Sequence, residues 1–172
     1  SLNTENTVYL DVALDELDVV HLAWSTSDFS DGVSHLRYCR ATNDGELLAD
    51  WGVEQTVIEF DNPGSTPVTL AMNPAGEGGM LAATRDSVMH IFATPDSGLT
   101  WSASDVLDGY THPDAAWGAA GPYIAADTGP QSGFDKGRAI LSPDAAVTGP
   151  WSAELVMSEP TMARTGCRLA LD

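Results

Sequence analysis

Three tryptophans, Trp51, Trp101 and Trp151, recur at intervals of 50 residues. Each follows a Thr/Ser-x-Asp element (Thr42-x-Asp44, Thr94-x-Asp96 and Ser142-x-Asp144) that itself follows a strand-like stretch. A self-similar unit of about fifty residues built from short strands cannot bury its apolar face alone, so neighbouring units must stack on one another. That period constrains the fold more than any other property of the chain.

Within each period the same four strands are legible from alternation and from β-branched or aromatic content. The first unit reads Val8–Asp15, Val19–Trp24, His35–Arg40 and a last strand running through Trp51 to Ile58. The second reads Val68–Asn73, Gly79–Ala83, Val88–Phe92 and Trp101–Leu107. The third reads Pro113–Gly118, Pro122–Ala126, Arg138–Leu141 and Trp151–Met157, and a fourth unit opens over Cys167–Asp172. No useful stretch has a helical period. The expected class is all-β, in units over about 7–60, 66–108 and 112–158, with the start of a fourth at 166–172.

The second unit carries the complete turn, Thr94-Pro95-Asp96-Ser97-Gly98-Leu99-Thr100-Trp101. A carboxylate at Asp96 suits acceptance of N–H bonds across a hairpin, as in Asx-turns. Gly98 can take a positive φ without steric cost, the Thr100 hydroxyl can bond back into the turn, and Trp101 can cover apolar space beside it. Thr94, Asp96, Gly98, Thr100 and Trp101 together resemble the Asp-box, or BNR repeat, of sialidases and other Asp-box β-propellers. The resemblance implies a β-propeller of four-stranded antiparallel blades: three blades and the first strand of a fourth. It also implies that the box lies on an outer rim, in a structural role. Propellers usually need at least four blades, so the expectation is a homo-oligomer that completes the ring or a fragment of a larger propeller.

Acids outnumber bases 25 to 7, for a net charge of −18. Such a surface repels phosphate backbones and anionic lipid, which argues against nucleic acid and membrane-surface partners. No run of eighteen apolar residues is long enough to insert in a bilayer. The acidity fits a secreted or cell-surface setting, and the start at Ser1-Leu2 without a methionine suggests processing or a segment of a longer gene. The reading assigns no cofactor or metal. Ca²⁺ is the ion the loop carboxylates would suit, with Asp28-Phe29-Ser30-Asp31-Gly32 as a loose match to a Ca²⁺ loop. Cys39 and Cys167 leave two readings open, buried thiols or one disulfide.

Ligand-face loops of such a fold join second to third strands and successive units. Arg85 and Asp86, at a tight turn directly after an apolar strand, are the first catalytic candidates. His112 and Asp114 are the second, since i, i+2 spacing puts both on one side of an extended segment. Trp24, Trp117 and Arg138 are the candidate glycan-binding residues, the indoles as stacking platforms. Resemblance to sialidases would further imply three arginines on a substrate carboxylate, a Tyr/Glu nucleophile pair and an acid/base Asp. The family's Arg-Ile-Pro signature is absent, and only Tyr110 among the tyrosines falls in a ligand-face loop. The expected function is therefore glycan or protein binding, with part of a glycoside hydrolase as the alternative.

Overall fold

The computed structural model describes residues 6–41, 50–128, 137–143 and 151–158, the last two segments by their backbone apart from Trp151. It is all-β and contains three antiparallel four-stranded sheets, none of which closes into a barrel. The first sheet holds β1 (Asn6–Leu14), β2 (Val20–Asp28), β3 (Val33–Arg40) and β4 (Gln55–Phe60). The second holds β5 (Val68–Met72), β6 (Gly79–Arg85), β7 (Val88–Thr94) and β8 (Ser102–Asp108). The third holds β9 (Tyr110–Gly118), β10 (Gly121–Thr128), β11 (Gly137–Pro143) and β12 (Trp151–Ser158). Each is a meander in which chain neighbours are sheet neighbours. The proposed fourth unit at 166–172, and Cys167 with it, lies outside the described residues.

The middle sheet is the core. Leu70, Met72, Leu81, Ala83 and Phe92 on one face pack against Ala23, Leu36 and Phe60 of the first sheet. Ala71, Met80, Ala82, Met89 and Ile91 on the other face pack against Ile124, Ala126 and Trp151 of the third. Burial on both faces explains why β5 and β6 lack polar alternation: every residue of β5 is buried, as are the first six of β6. In the flanking sheets β2, β3 and β10 open with a period of two before turning continuously buried further along.

The sheets also lock through their first strands. Asp11 on β1 accepts the Leu70 N–H at 2.7 Å and the Thr69 hydroxyl at 3.1 Å. Thr69 on β5 in turn accepts the Ala115 N–H of β9 at 2.8 Å. One side chain per sheet thus caps one backbone donor of the next, a repeated rung between first strands that would otherwise leave buried N–H groups unmet.

The three tryptophans occupy matching places with unequal surroundings. Trp101, just before β8, reaches back to the first sheet and meets Tyr38 edge-on at 5.0 Å. Trp151 opens β12 and is buried in the cluster shared with the second sheet. Trp51 bridges Ala41 and, like Trp101, is half-buried.

Candidate functional site

The sheets have two ends of different character. At one end the Thr94–Trp101 turn is closed by its own side chains. The Asp96 carboxylate accepts the Thr100 N–H (2.8 Å), the Thr100 hydroxyl (2.7 Å) and the Thr94 hydroxyl (2.8 Å), while Thr94 Oγ1 accepts the Gly98 N–H at 2.9 Å. Burial would raise the Asp96 carboxyl, but these donors outweigh it and hold it below its usual range. The turn is also a docking piece: Arg40 donates to Ser97 O at 2.9 Å and Gln55 to Gly98 O at 3.1 Å, both from the first sheet.

Behind that turn lies a buried chain of polar groups that the sequence does not announce. His21 and Tyr38 are fully buried, and His21 Nδ1 lies 2.6 Å from the Tyr38 hydroxyl. His21 Nε2 faces Asp15 Oδ2 at 3.2 Å. Asp15 Oδ1 accepts the Leu17 and Val19 N–H groups, at 2.8 and 3.0 Å, closing the β1–β2 turn. An ionised Asp15 only accepts, so the imidazole carries its proton on Nε2 and takes the Tyr38 O–H on Nδ1. A cavity of about 390 Å³ opens beside this network, lined by Asp15, Arg40, Glu77, Asp96 and Ser97. Asp15, Asp96 and Arg40 spend hydrogen bonds on the turns, so this end is built for cohesion. Burial also pushes the Tyr38 hydroxyl far up, which keeps it a donor and no nucleophile.

The opposite end collects the β2–β3 and β6–β7 turns and the connections between sheets, where the sequence places its catalytic candidates. Arg85 does not stand open. Its guanidinium donates to Pro63 O at 3.0 Å and covers Gly64, where a Cβ would meet Arg85 Cζ and Nη2 at 2.8 Å. Arg85 therefore ties the second sheet to the connection that leads into it. Asp86, 3.5 Å from Arg85 Nε, is 77% exposed at its side chain. Asp86 and Ser87 form a two-residue hairpin turn with φ of 51° and 65°. Positive φ at both positions is the type I′ geometry that favours Asn-Gly. Exchanging Asp86-Ser87 for Asn-Gly is expected to raise stability by about 1 kcal/mol, or about 2–4 °C in thermal midpoint. A concurrent loss of ligand binding would mark the strained turn as functional.

His112 and Asp114 lie within β9, because that strand starts at Tyr110 and not at Pro113. The β9–β10 register shifts between Ala125 and Asp127, and His112 takes φ 50° at this bulge. The bulge brings His112 Nδ1 to 3.5 Å from Asp127 Oδ2. The Asp127 side chain is 1% exposed and the His112 imidazole 32%. His112 Nδ1 also lies 3.2 Å from Thr111 Oγ1. A buried carboxylate behind a partly open imidazole orients the ring, an arrangement suited to taking or giving a proton or binding a hydroxyl. The partner that sequence spacing missed was signalled only by Pro113 interrupting the strand.

The remaining candidates fall elsewhere. Trp117 is partly buried against the core shared by the second and third sheets, beside Gly78. Trp24 sits mid-strand on β2 beside Leu10 and Arg37, away from the loops. Arg138 lies opposite Asp127 in the β10–β11 register, and its side chain is outside the described residues. Tyr110 opens β9 and packs against the same core as Trp117. In the Asp28–Gly32 turn, Asp28 Oδ1 accepts the Ser30 N–H at 2.8 Å and its hydroxyl at 2.6 Å. Among the described residues, no three His, Cys, Asp or Glu side chains gather as a metal site, and no helix is long and apolar enough to cross a membrane. Cys39 is a buried free thiol, pushed up by burial and by Glu54. The chain matches no protein-family model and no curated protein.

Proposed function

We propose that the chain is a three-blade segment of an Asp-box β-propeller in the sialidase-like superfamily, acting outside the cell as a module that binds glycan or protein ligands. The blade reading is supported by three stacked four-stranded meanders and by the bonded Thr94–Trp101 turn. The ligand reading rests chiefly on one observation: His112, held at positive φ on a bulge and backed by buried Asp127, at the end where the inter-sheet connections meet. With a net charge of −18, neutral glycans or basic peptides suit this surface better than anionic ones. A glycan array is expected to return neutral sugars, with about tenfold weaker binding by His112→Ala, the size of one lost hydrogen bond. Equal binding by wild type and variant would refute the site.

The second reading is part of a glycoside hydrolase, favoured by the same His112–Asp127 pair as a proton-transfer group. A panel of chromogenic glycosides separates the two. Turnover that falls in His112→Ala and Asp86→Ala favours the enzyme, and the commitment of Arg85 to Pro63 O weighs against a substrate-carboxylate clamp there.

A further inference from the structure

Ser25 and Ser27 are 0% and 1% exposed, and neither hydroxyl has a hydrogen-bond partner in the protein. Both lie on the face of β2 that looks at the second sheet. Ala23 packs there, and residues two and four further on share its side of a strand whose register with β3 is unbroken. Two unmet buried hydroxyls on one strand face point to a small bound species between the sheets. Arg85 supplies a third group. It lies on the face of β6 that meets the first sheet, following Leu81 and Ala83 at the same spacing. Its side chain is 12% exposed, Nη2 donates to Pro63 O, and Nε has no hydrogen-bond partner. Asp86 comes no nearer to Nε than 3.5 Å and is mostly in water, so its charge is screened. The serines and the guanidinium meet at one corner of the interface. Ser27 stands across from Ser34, whose Oγ accepts the Gly64 N–H at 3.0 Å, and Gly64 lies against the Arg85 guanidinium.

The chemistry of the corner selects the species. It offers two hydroxyls and the N–H groups of a cation, while the nearby carbonyls of Pro63 and Asn62 are taken by Arg85 and Ser34. That set repels a metal ion and suits an anion. Ser25 and Ser27 continue the line of Ala23, so small side chains leave a narrow gap between sheets that pack about 10 Å apart. A single atom fits such a gap, and a tetrahedral oxyanion does not. We propose that a chloride ion binds between the first and second sheets, held by the Ser25 and Ser27 hydroxyls and by Arg85, and fastens the two sheets together. The ion satisfies both hydroxyls and balances a guanidinium whose carboxylate partner is screened. Thr84 is a natural control. It matches Ser27 as the last residue but one of its strand, is 3% exposed, and has an Oγ1 without a partner. However, it faces the third sheet with Met80 and Ala82, on the side of β6 away from Arg85. The inference is separate from the ligand reading at His112, and either can fail alone.

The test is the thermal midpoint of the 172-residue chain as chloride replaces gluconate at one ionic strength, which holds constant the screening of the −18 charge. For a site that half-fills at about 10 mM, raising chloride from about 10 to about 300 mM multiplies the folding constant about fifteenfold and lifts the midpoint by about 3–6 °C. Replacing both serines, Ser25→Ala with Ser27→Ala, should cut that shift below about 1 °C, whereas Thr84→Val should keep all of it. Wild-type crystals soaked in bromide provide a measurement that needs no variant: an anomalous peak is expected in contact with Arg85 and the two serines. Equal wild-type midpoints in chloride and gluconate overturn the proposal. So does a shift that survives the double serine variant, or a corner with no bromide peak, where water alone would meet the hydroxyls.

Discussion

Gly98→Ala is expected to cost about 3–5 kcal/mol, from the strain of a side chain at positive φ and from overpacking. Gly98 sits at φ 79° with the Tyr38 ring beneath it. A Cβ there would overlap the Tyr38 hydroxyl and Cζ and approach Cε1 to 2.9 Å. Tyr38 cannot yield, because its hydroxyl is bonded to His21, its ring is fully buried and Trp101 closes its other side. Moving the turn instead would break the Arg40 and Gln55 bonds that join it to the first sheet. The loss should lower the thermal midpoint by about 10 °C. A midpoint within about 2 °C of wild type would mean that the two sheets are not packed through this turn.

Asp15→Ala is expected to be nearly as damaging, about 3 kcal/mol, since it removes the acceptor for two turn N–H groups and the partner of a buried imidazole. The same network sets a pH dependence. Burial lowers the His21 pKa against the opposing pull of Asp15, so the folded state holds it neutral. For Asp15, burial would raise the pKa, but the Leu17 and Val19 N–H groups and His21 outweigh it and lower the value. Both groups thus bind protons less readily when folded, and stability rises with pH. The His21 contribution is complete above its ordinary value of 6.5 and is lost as pH falls through it, while that of Asp15 is lost below about 3.8. His90, lowered by burial, adds to the upper step. Relief of acidic repulsion runs the other way, so the decisive quantity is a difference: chemical unfolding of wild type and His21→Gln at pH 7.5 and 5. The gap between them should shrink toward the lower pH, and a constant gap would remove His21 from the account.

The strands were legible because their signals are local. Alternation or flanking turn residues mark the strands, and the two-face burial of β5 and β6 is foreshadowed by the largely apolar runs Val68–Met72 and Gly79–Ala83. Interactions between sheets were not legible. Tyr38 beneath Gly98 and Asp11 on Leu70 join residues about sixty apart, and neither Tyr38 nor Asp11 belongs to a motif that points to its partner. His21 reads as any strand histidine until Asp15 and Tyr38 surround it. The site suffered from one misplaced boundary. With β9 begun at Pro113, His112 falls in a loop and pairs by spacing with Asp114, whereas the bulge delivers it to Asp127. Arg85 followed the turn correctly, but its long side chain reached sideways to Pro63 and not into solvent.

The two-sided burial of the second sheet bears on how the chain is made. β5 to β7 emerge from the ribosome as three predominantly apolar strands, a hazard for any chain that must wait for cover. Synthesis in this order gives them a finished wall to condense on, because the first sheet is already out. A circular permutant beginning at β5 would present the same segments with nothing to receive them, and would accumulate as inclusion bodies despite an unchanged native contact set.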